Sequence, residues 1–441
     1  MISVLYMVAN IDRFVVNLMI ESIKRDFGAS DIEVSLLVGF TFSLFYVICG
    51  FWIARLADRR NRRNLLTLGA LLWSVFTALA GAAQSFTQLF IARIGVGVGE
   101  GAVVPCGQSM IADEVPPESL GRAISVFSIG SLLGALLAFI LGGALLGWAT
   151  ENWPNGLSLP VVGDIYSWQL VFFLLGLPGI VIALLFFATV KEPGRRNVAT
   201  GEVMTMREVL AFMAAHKRVY VAIIAGVTTV QIGAASATTW MPALLERSFA
   251  LTPERAGILI AAALVLPGIA SALIGGWLAD RMRQRGIDDA YLRLAFFSCM
   301  IGFLPFGLAS IMPTVNGLVA MAALGTLASF MTQTLSMTAL QAVSPGTMRA
   351  TAAAVMSILI ALIGYGVGPL IVALITDIIF QDESMLGYSL AIVVTTSFFV
   401  AGLFYHQGRA DLSAMLADAD TRESASRSDA LQPMAHAGEP G

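Results

Sequence analysis

Between Met1 and His406 the chain is a succession of long apolar runs broken by short charged punctuation. A run of about 20 apolar residues makes a helix that crosses the hydrocarbon core, and within lipid only helices or closed barrels satisfy their own backbone groups. Twelve such runs can be placed, near 2–23, 34–56, 65–83, 87–112, 120–147, 168–190, 219–245, 255–279, 291–311, 315–342, 348–376 and 386–406. Charged residues form only 12% of the chain, against about 25% in soluble proteins, too few to coat a water-soluble globule. The expectation is an all-α, multi-pass membrane protein. A net charge of −3 says nothing about partners, and no feature points to nucleic acid.

Other chemistries lack their residues. Cys49, Cys106 and Cys299 sit in or beside apolar runs and imply no disulfide framework. His216, His406 and His436 lack the spacing of a metal site. With no Gly-x-Ser-x-Gly elbow and no phosphate-binding loop, neither hydrolase chemistry nor direct ATP use has support, and no enzyme or cofactor is expected. The first run follows Met1 without a basic leader or a small-residue cleavage site and reads as a retained span.

The basic residues set the orientation. Arg55, Arg59, Arg60, Arg62 and Arg63 follow the second helix; Arg195, Arg196, Lys217 and Arg218 lie in the central linker; Arg281, Arg283 and Arg285 follow the eighth. The intervening loops hold few, chiefly Lys24, Arg25, Arg247 and Arg255. By the positive-inside rule the first group is cytoplasmic, and so are both termini. The expected organisation is a six-helix bundle over 1–190, a cytoplasmic linker over 191–218 with an amphipathic stretch at 203–216, a second bundle over 219–406, and a polar, disordered tail over 407–441.

The bundles echo each other. ARLADRRNRR at 54–63 recurs as GWLADRMRQR at 276–285, and SLGRA ending at Ala123 has its counterpart in GTMRA ending at Ala350. Leu56 to Leu278 is an offset of 222 and Ala123 to Ala350 one of 227, so equivalent loops repeat at nearly one spacing. Two parallel repeats of six helices follow, with alternating access as their consequence. Here the sequence resembles the major facilitator superfamily, whose loop between the second and third helices has the form G-x-L-x-D-R-x-G-R-R. Ala54 and Asn61 replace its glycines, while Leu56, Asp58, Arg59, Arg62 and Arg63 match. Asp58, Arg59, Arg62, Arg122, Asp280, Arg281 and Arg349 are candidates for an interhelical latch holding one gate state. The alternative is that the arginines only enforce topology, which leaves Asp58 and Asp280 without a role.

Four ionisable residues fall well inside spans, Asp12 and Arg13 on the first helix and Arg93 and Glu100 on the fourth. A charge at the bilayer centre costs about 2.5–3.5 kcal/mol on the insertion scale, so such groups face a cavity or each other. Arg93 and Glu100, seven residues apart on nearly the same helix face, should line one wall. The run RIGVGVGEG, 93–101, removes side chains and lets other helices approach Glu100. Asp12 and Glu100 are candidates for proton coupling, Arg13 and Arg93 for anion recognition. The competing reading is a fixed ion-pair network that locks the two helices together. Gln231 and Trp240 on the seventh helix, and Thr332 and Gln333 on the tenth, offer neutral hydrogen bonds to a polar headgroup, although such groups commonly bond within their own helix.

ANIDRF at 9–14 and RIGVGVGEG at 93–101 resemble the first- and fourth-helix motifs of the spinster transporters, and VKEPGRR after the sixth helix fits the same pattern. The resemblance is specific in the N-terminal half and architectural in the other. It implies proton-linked transport of a sphingolipid or lysophospholipid, with Asp12 and Glu100 as proton-sensing acids, Arg13 at the headgroup and Arg93 supporting Glu100. A monomer is expected. Proton-driven antiport of drugs or small organic anions, or lipid uniport without a proton, stays open on the residues alone.

Overall fold

The computed structural model describes residues 1–160, 163–195 and 204–435; Arg196 and His436 fall outside them. Twelve helices among these residues are long and apolar enough to span a bilayer. In the first half they are α1 (Ile2–Phe27), α2 (Asp31–Ala57), α3 (Arg62–Gly81), α4 (Phe86–Glu114), α5 (Ser119–Asn152) and α6 (Ser167–Thr189). In the second they are α7 (Lys217–Phe249), α8 (Pro253–Gln284), α9 (Ala290–Ala309), α10 (Val315–Val343), α11 (Arg349–Phe380) and α12 (Glu383–Leu416). Large apolar side chains such as Leu68, Ile91, Ile301 and Ile379 stay exposed, as a surface solvated by acyl chains requires. Between α5 and α6 a two-stranded hairpin pairs Leu157–Leu159 with Gly163–Ile165, a feature the apolar pattern does not announce.

Several spans are interrupted where they meet a neighbour. A 3₁₀ turn at Val16–Met19 breaks α1, and wide π turns lie in α2 (Leu36–Phe40), α8 (Ala261–Val265) and α11 (Ile360–Val367). Such turns shift the side-chain register and concentrate at sites that move. The glycine run of α4 acts as expected: a Cβ at Gly99 would lie 2.6 Å from the Gly69 carbonyl oxygen of α3, and one at Gly101 would lie 2.9 Å from the Gly50 nitrogen of α2. Both neighbours thereby close on the helix that carries Glu100.

The described contacts between the halves gather toward one end. Ser35 on α2 donates to the Pro369 carbonyl of α11, the Ile32 N–H donates to Asp377, and Asn17 on α1 donates to the Thr238 carbonyl of α7. Phe139 and Gly143 of α5 pack on Gly257 and Pro253 of α8. All of these lie toward the end opposite the two Leu-Ala-Asp-Arg loops.

The tail corrects an expectation. The last helix runs on past His406 through Ala435, and its first turns beyond Gln407 are packed and not loose. Leu412 and Leu416, one helical turn apart, are buried, and Arg409 donates to Asp289 at 2.7 Å. A short apolar stripe and one ion pair suffice to continue an existing helix, whose nucleation cost is already met.

Candidate functional site

Asp12 and Arg13 lie on α1 just before its 3₁₀ turn, and Arg93 and Glu100 face them from α4. The four charges pair crosswise between the helices. Arg13 donates to one oxygen of Glu100, through Nε at 3.2 Å and Nη2 at 2.7 Å. Arg93 Nη1 stands 3.8 Å from Asp12 Oδ1, an ion pair without a hydrogen bond. The second Asp12 oxygen accepts from the Thr77 hydroxyl of α3, which also faces the Trp73 carbonyl at 2.9 Å. The Phe42 ring of α2 sits between the guanidiniums, 4.8 Å from that of Arg13 and 5.3 Å from that of Arg93. Tyr46 covers Arg13 at 4.6 Å. These aromatic faces hold cations by their quadrupoles and leave the guanidinium edges for hydrogen bonds.

Burial separates the four. Asp12, Arg93 and Glu100 are 3%, 1% and 0% exposed, whereas the Arg13 side chain keeps 25%. Glu100 Oε1, Asp12 Oδ1 and all three Arg93 nitrogens have no hydrogen-bond partner. The nest balances in charge but is poor in hydrogen bonds, so its cohesion rests on Coulomb attraction in a low dielectric. Arg93 and Glu100 do face the same neighbour, as their spacing implies. Of the two arginines expected to recognise an anion, Arg93 is buried in this state beside the Phe42 ring of α2, and Arg13 keeps exposed surface.

In the second half, Gln231 donates to the Tyr365 hydroxyl at 3.3 Å, and Tyr365 stands on the wide turn of α11. Gln333 is half-buried. Two further candidates are buried in this state. Trp240 is fully buried, its indole N–H donating to the Pro369 carbonyl at 3.0 Å, and serves as packing where the halves are closed. Thr332 is fully buried and bonds to the Ser329 carbonyl of its own helix, the usual fate of a threonine inside a membrane helix.

The latch residues are not joined across the halves. Asp58, Arg59, Arg122 and Asp280 are exposed, Arg281 lies over its neighbour Trp277, and Arg349 donates to the Ser344 carbonyl. Arg62 alone is buried, held by Asp113 and Glu192 and by the Pro193 carbonyl at 3.0 Å. Those partners belong to its own half, so the cluster ties α3 to α4 and to the segment after α6. Burial opposes the charge of Glu192, but the Arg63 N–H and the Arg62 guanidinium outweigh it and hold the carboxyl below the usual glutamate range.

The opposite end carries an ion-pair cluster between the halves that sequence reasoning missed. Arg247 on α7 donates to Glu21 of α1 at 2.7 Å and to both oxygens of Asp31 on α2, at 2.7 and 2.9 Å. Lys24 pairs with Asp31 and, at 2.9 Å, with Glu383. Asp31 is fully buried beneath this cluster. The available signal was slight: Lys24 and Arg247 are basic residues in loops that otherwise have few.

Comparison with known proteins agrees with this architecture. The family profile described as Major Facilitator Superfamily matches residues 2–369. An MFS-type efflux pump of Mycolicibacterium smegmatis is 27% identical over 403 residues, which cover 90% of this chain and 88% of that protein. A probable L-galactonate transporter of Escherichia coli is 27% identical over 280 residues, 60% of this chain and 57% of its own. A crystal structure of a bacterial homologue of the human lysosomal transporter Spinster, inward-facing and occupied, superposes with a TM-score of 0.77 at 25% identity, covering 94% of this chain and 95% of that one. Twelve spans and bacterial relatives make this chain a multi-pass protein of the inner membrane.

Proposed function

We propose, from the premise that this chain belongs to the major facilitator superfamily and is therefore a membrane transporter and not an enzyme, that it couples proton movement to the transport of a single-chain amphiphilic lipid, a lysophospholipid or sphingolipid. The observation that carries the reading is the contact between a buried acid and a half-open arginine. Glu100 neutralises Arg13 through one oxygen, while Arg13 alone among the four charges is accessible. A proton on Glu100 removes the charge that holds the guanidinium and frees it for a phosphate or carboxylate headgroup. Headgroup binding in turn favours the protonated acid, which is the linkage that coupling needs.

The positive-inside rule places the Leu-Ala-Asp-Arg loops in the cytoplasm, so the closed end is periplasmic and this state opens inward. The Arg247 cluster then acts as the periplasmic gate. Asp58 and Asp280, exposed here, find partners when the cytoplasmic end closes, in the manner of a latch. Asp12, steadied by Thr77 and Arg93, serves as a second protonatable group on the same helix as Arg13. Tyr46 and Phe42 beside Arg13 suit a cargo with an apolar chain below its charge. One chain contains both halves of the alternating-access unit, and it works as a monomer.

The resemblance to an L-galactonate transporter supports a second cargo class, small organic anions, because Arg13 reads a carboxylate equally well. Flux into reconstituted vesicles separates the two. Under an inward-directed proton gradient a fluorescent lysophospholipid is moved and the Arg13→Ala variant moves none. Hexonate flux exceeding lipid flux overturns the lipid assignment, and equal lipid flux with and without the gradient overturns coupling.

A further inference from the structure

Three adjoining hollows open on the second half at its Leu-Ala-Asp-Arg end, well away from Arg13, and Lys217 lies in the wall of each. The largest, about 690 Å³, is polar at its rim. Lys217, Arg218 and Arg349 line it, and Asp411 is the one carboxylate among the described residues of its wall. Arg218 engages that carboxylate only at 3.6 Å, with its own side chain 79% exposed. Arg349 uses Nε on the Ser344 carbonyl. The described side chains of the hollow therefore carry an excess of positive charge.

Below it runs a groove of about 470 Å³ whose wall is almost wholly apolar. Val221, Ile224 and Ile232 of α7 form its floor, with Leu359 and Ile363 of α11 and Phe404 of α12 at its sides. From Lys217 to Ile232 the floor extends about 22 Å at 1.5 Å per residue, enough to cross one leaflet of a roughly 30 Å hydrocarbon core. The linker helix Met206–Ala215 marks the water boundary at the head of the groove. It turns Val209 and Met213 into the protein and leaves Met206 and Leu210 exposed, in the manner of a helix lying in the interface.

A compact basic hollow that shares Lys217 with an apolar groove of one leaflet's length has the two-part chemistry of a phospholipid. We propose that it binds an anionic glycerophospholipid of the surrounding bilayer, with the phosphate on Lys217, Arg218 and Arg349 and one acyl chain along α7. The excess of cations selects an anionic headgroup over a zwitterionic one. The site is peripheral, and it stands whatever the cargo carried past Arg13.

Native mass spectrometry of the delipidated full chain tests it, by titration with phosphatidylglycerol, phosphatidylcholine or inorganic phosphate. Phosphatidylglycerol is expected to bind the wild type at least tenfold more tightly than phosphatidylcholine. A Lys217→Gln, Arg218→Gln, Arg349→Gln variant should lose that preference. A Leu359→Trp, Ile363→Trp variant, which fills the groove and keeps the cations, should bind phosphatidylglycerol at least fivefold more weakly. Unfolding midpoints of both variants within a few degrees of wild type confirm that they are folded. Equal binding of the two lipids, or a preference that survives the triple variant, overturns the proposal. So does displacement of the lipid by inorganic phosphate together with an unaffected groove variant, the behaviour of a free-anion site.

Discussion

Arg13 Nη2 lies 2.7 Å from Glu100 Oε2, and Nε of the same guanidinium reaches that oxygen at 3.2 Å. One carboxylate oxygen thus takes both hydrogen bonds while the other is buried without any. A fixed structural pair would be expected to use both oxygens in the bidentate fork that guanidinium and carboxylate geometry favours. The one-sided contact suits a pair that must part. Substituting Arg13 by Ala leaves a fully buried acid without its counter-charge, a loss of about 3–5 kcal/mol for a buried pair. Glu100→Gln keeps the shape and removes the charge, so it should be much less destabilising. Thermal unfolding of the two variants in detergent checks the order; equal losses would mean that the contact matters only as packing.

The closed end is tied by Arg247, which bridges Glu21 and Asp31 across the two halves. Removing one partner of a buried pair costs about 3–5 kcal/mol, enough to move a two-state equilibrium a hundredfold or more. Arg247→Ala should therefore populate an outward-open state. Spin labels at Asn152 and Gln381, both exposed at this end, should show a longer and broader distance distribution than in the wild type. An unchanged distribution excludes a gating role.

Asp58 and Asp280 behave oppositely. Both are exposed here, so an Asp58→Asn, Asp280→Asn double variant should keep the inward-open distance between labels at Arg60 and Gln284 and lose the shorter distance that appears during transport. Turnover should fall with it. If turnover and both distances stay as in the wild type, the acids have no latch function.

Glu192 gives a pH signature outside the membrane. Its carboxyl is held below the usual range, so its contribution is complete above about pH 4.3 and is lost as the pH falls through its lowered value. The hydrogen bonds from Arg62 and the Arg63 N–H are charge-assisted, worth about 1.5–3 kcal/mol. Glu192→Gln should lower the unfolding midpoint at pH 7, with the difference from wild type shrinking under acid conditions. A difference that persists unchanged in acid would show that packing, not charge, is at stake.

Close packing on α4 is testable at Gly99, where a Cβ would stand 2.6 Å from the Gly69 carbonyl oxygen and 2.7 Å from the Trp73 nitrogen. Gly99→Ala should destabilise by about 1–3 kcal/mol, as overpacking does. Gly121→Ala, with nothing within 4 Å of the added carbon, is the control and should be neutral or mildly stabilising. Equal midpoints for the two variants would deny the tight contact.

The twelve spans were legible because membrane length and apolarity are properties of contiguous sequence, and the duplicated Leu-Ala-Asp-Arg loops exposed the two halves. The four buried charges were legible because lipid penalises them strongly. How they pair was not, since Arg13 reaches Glu100 across the packing of α1 on α4, and the same composition is compatible with several pairings. The burial of Arg93 was not legible, since the Phe42 ring beside it is a neutral residue with no signal of its own. Trp240 looked like a cargo contact because an indole serves equally well in a cavity wall or a closed interface. The tail misled through its polarity, although Leu412 and Leu416 repeat at helical spacing.

The central claim is that Glu100 protonation and headgroup occupancy at Arg13 are linked, and proton uptake on binding measures that link directly. In weakly buffered detergent solution at neutral pH, a lysophospholipid added to the wild type should draw up about one proton per lipid bound, and Glu100→Gln should bind with none. Binding without uptake in the wild type, or uptake undiminished in Glu100→Gln, would contradict it.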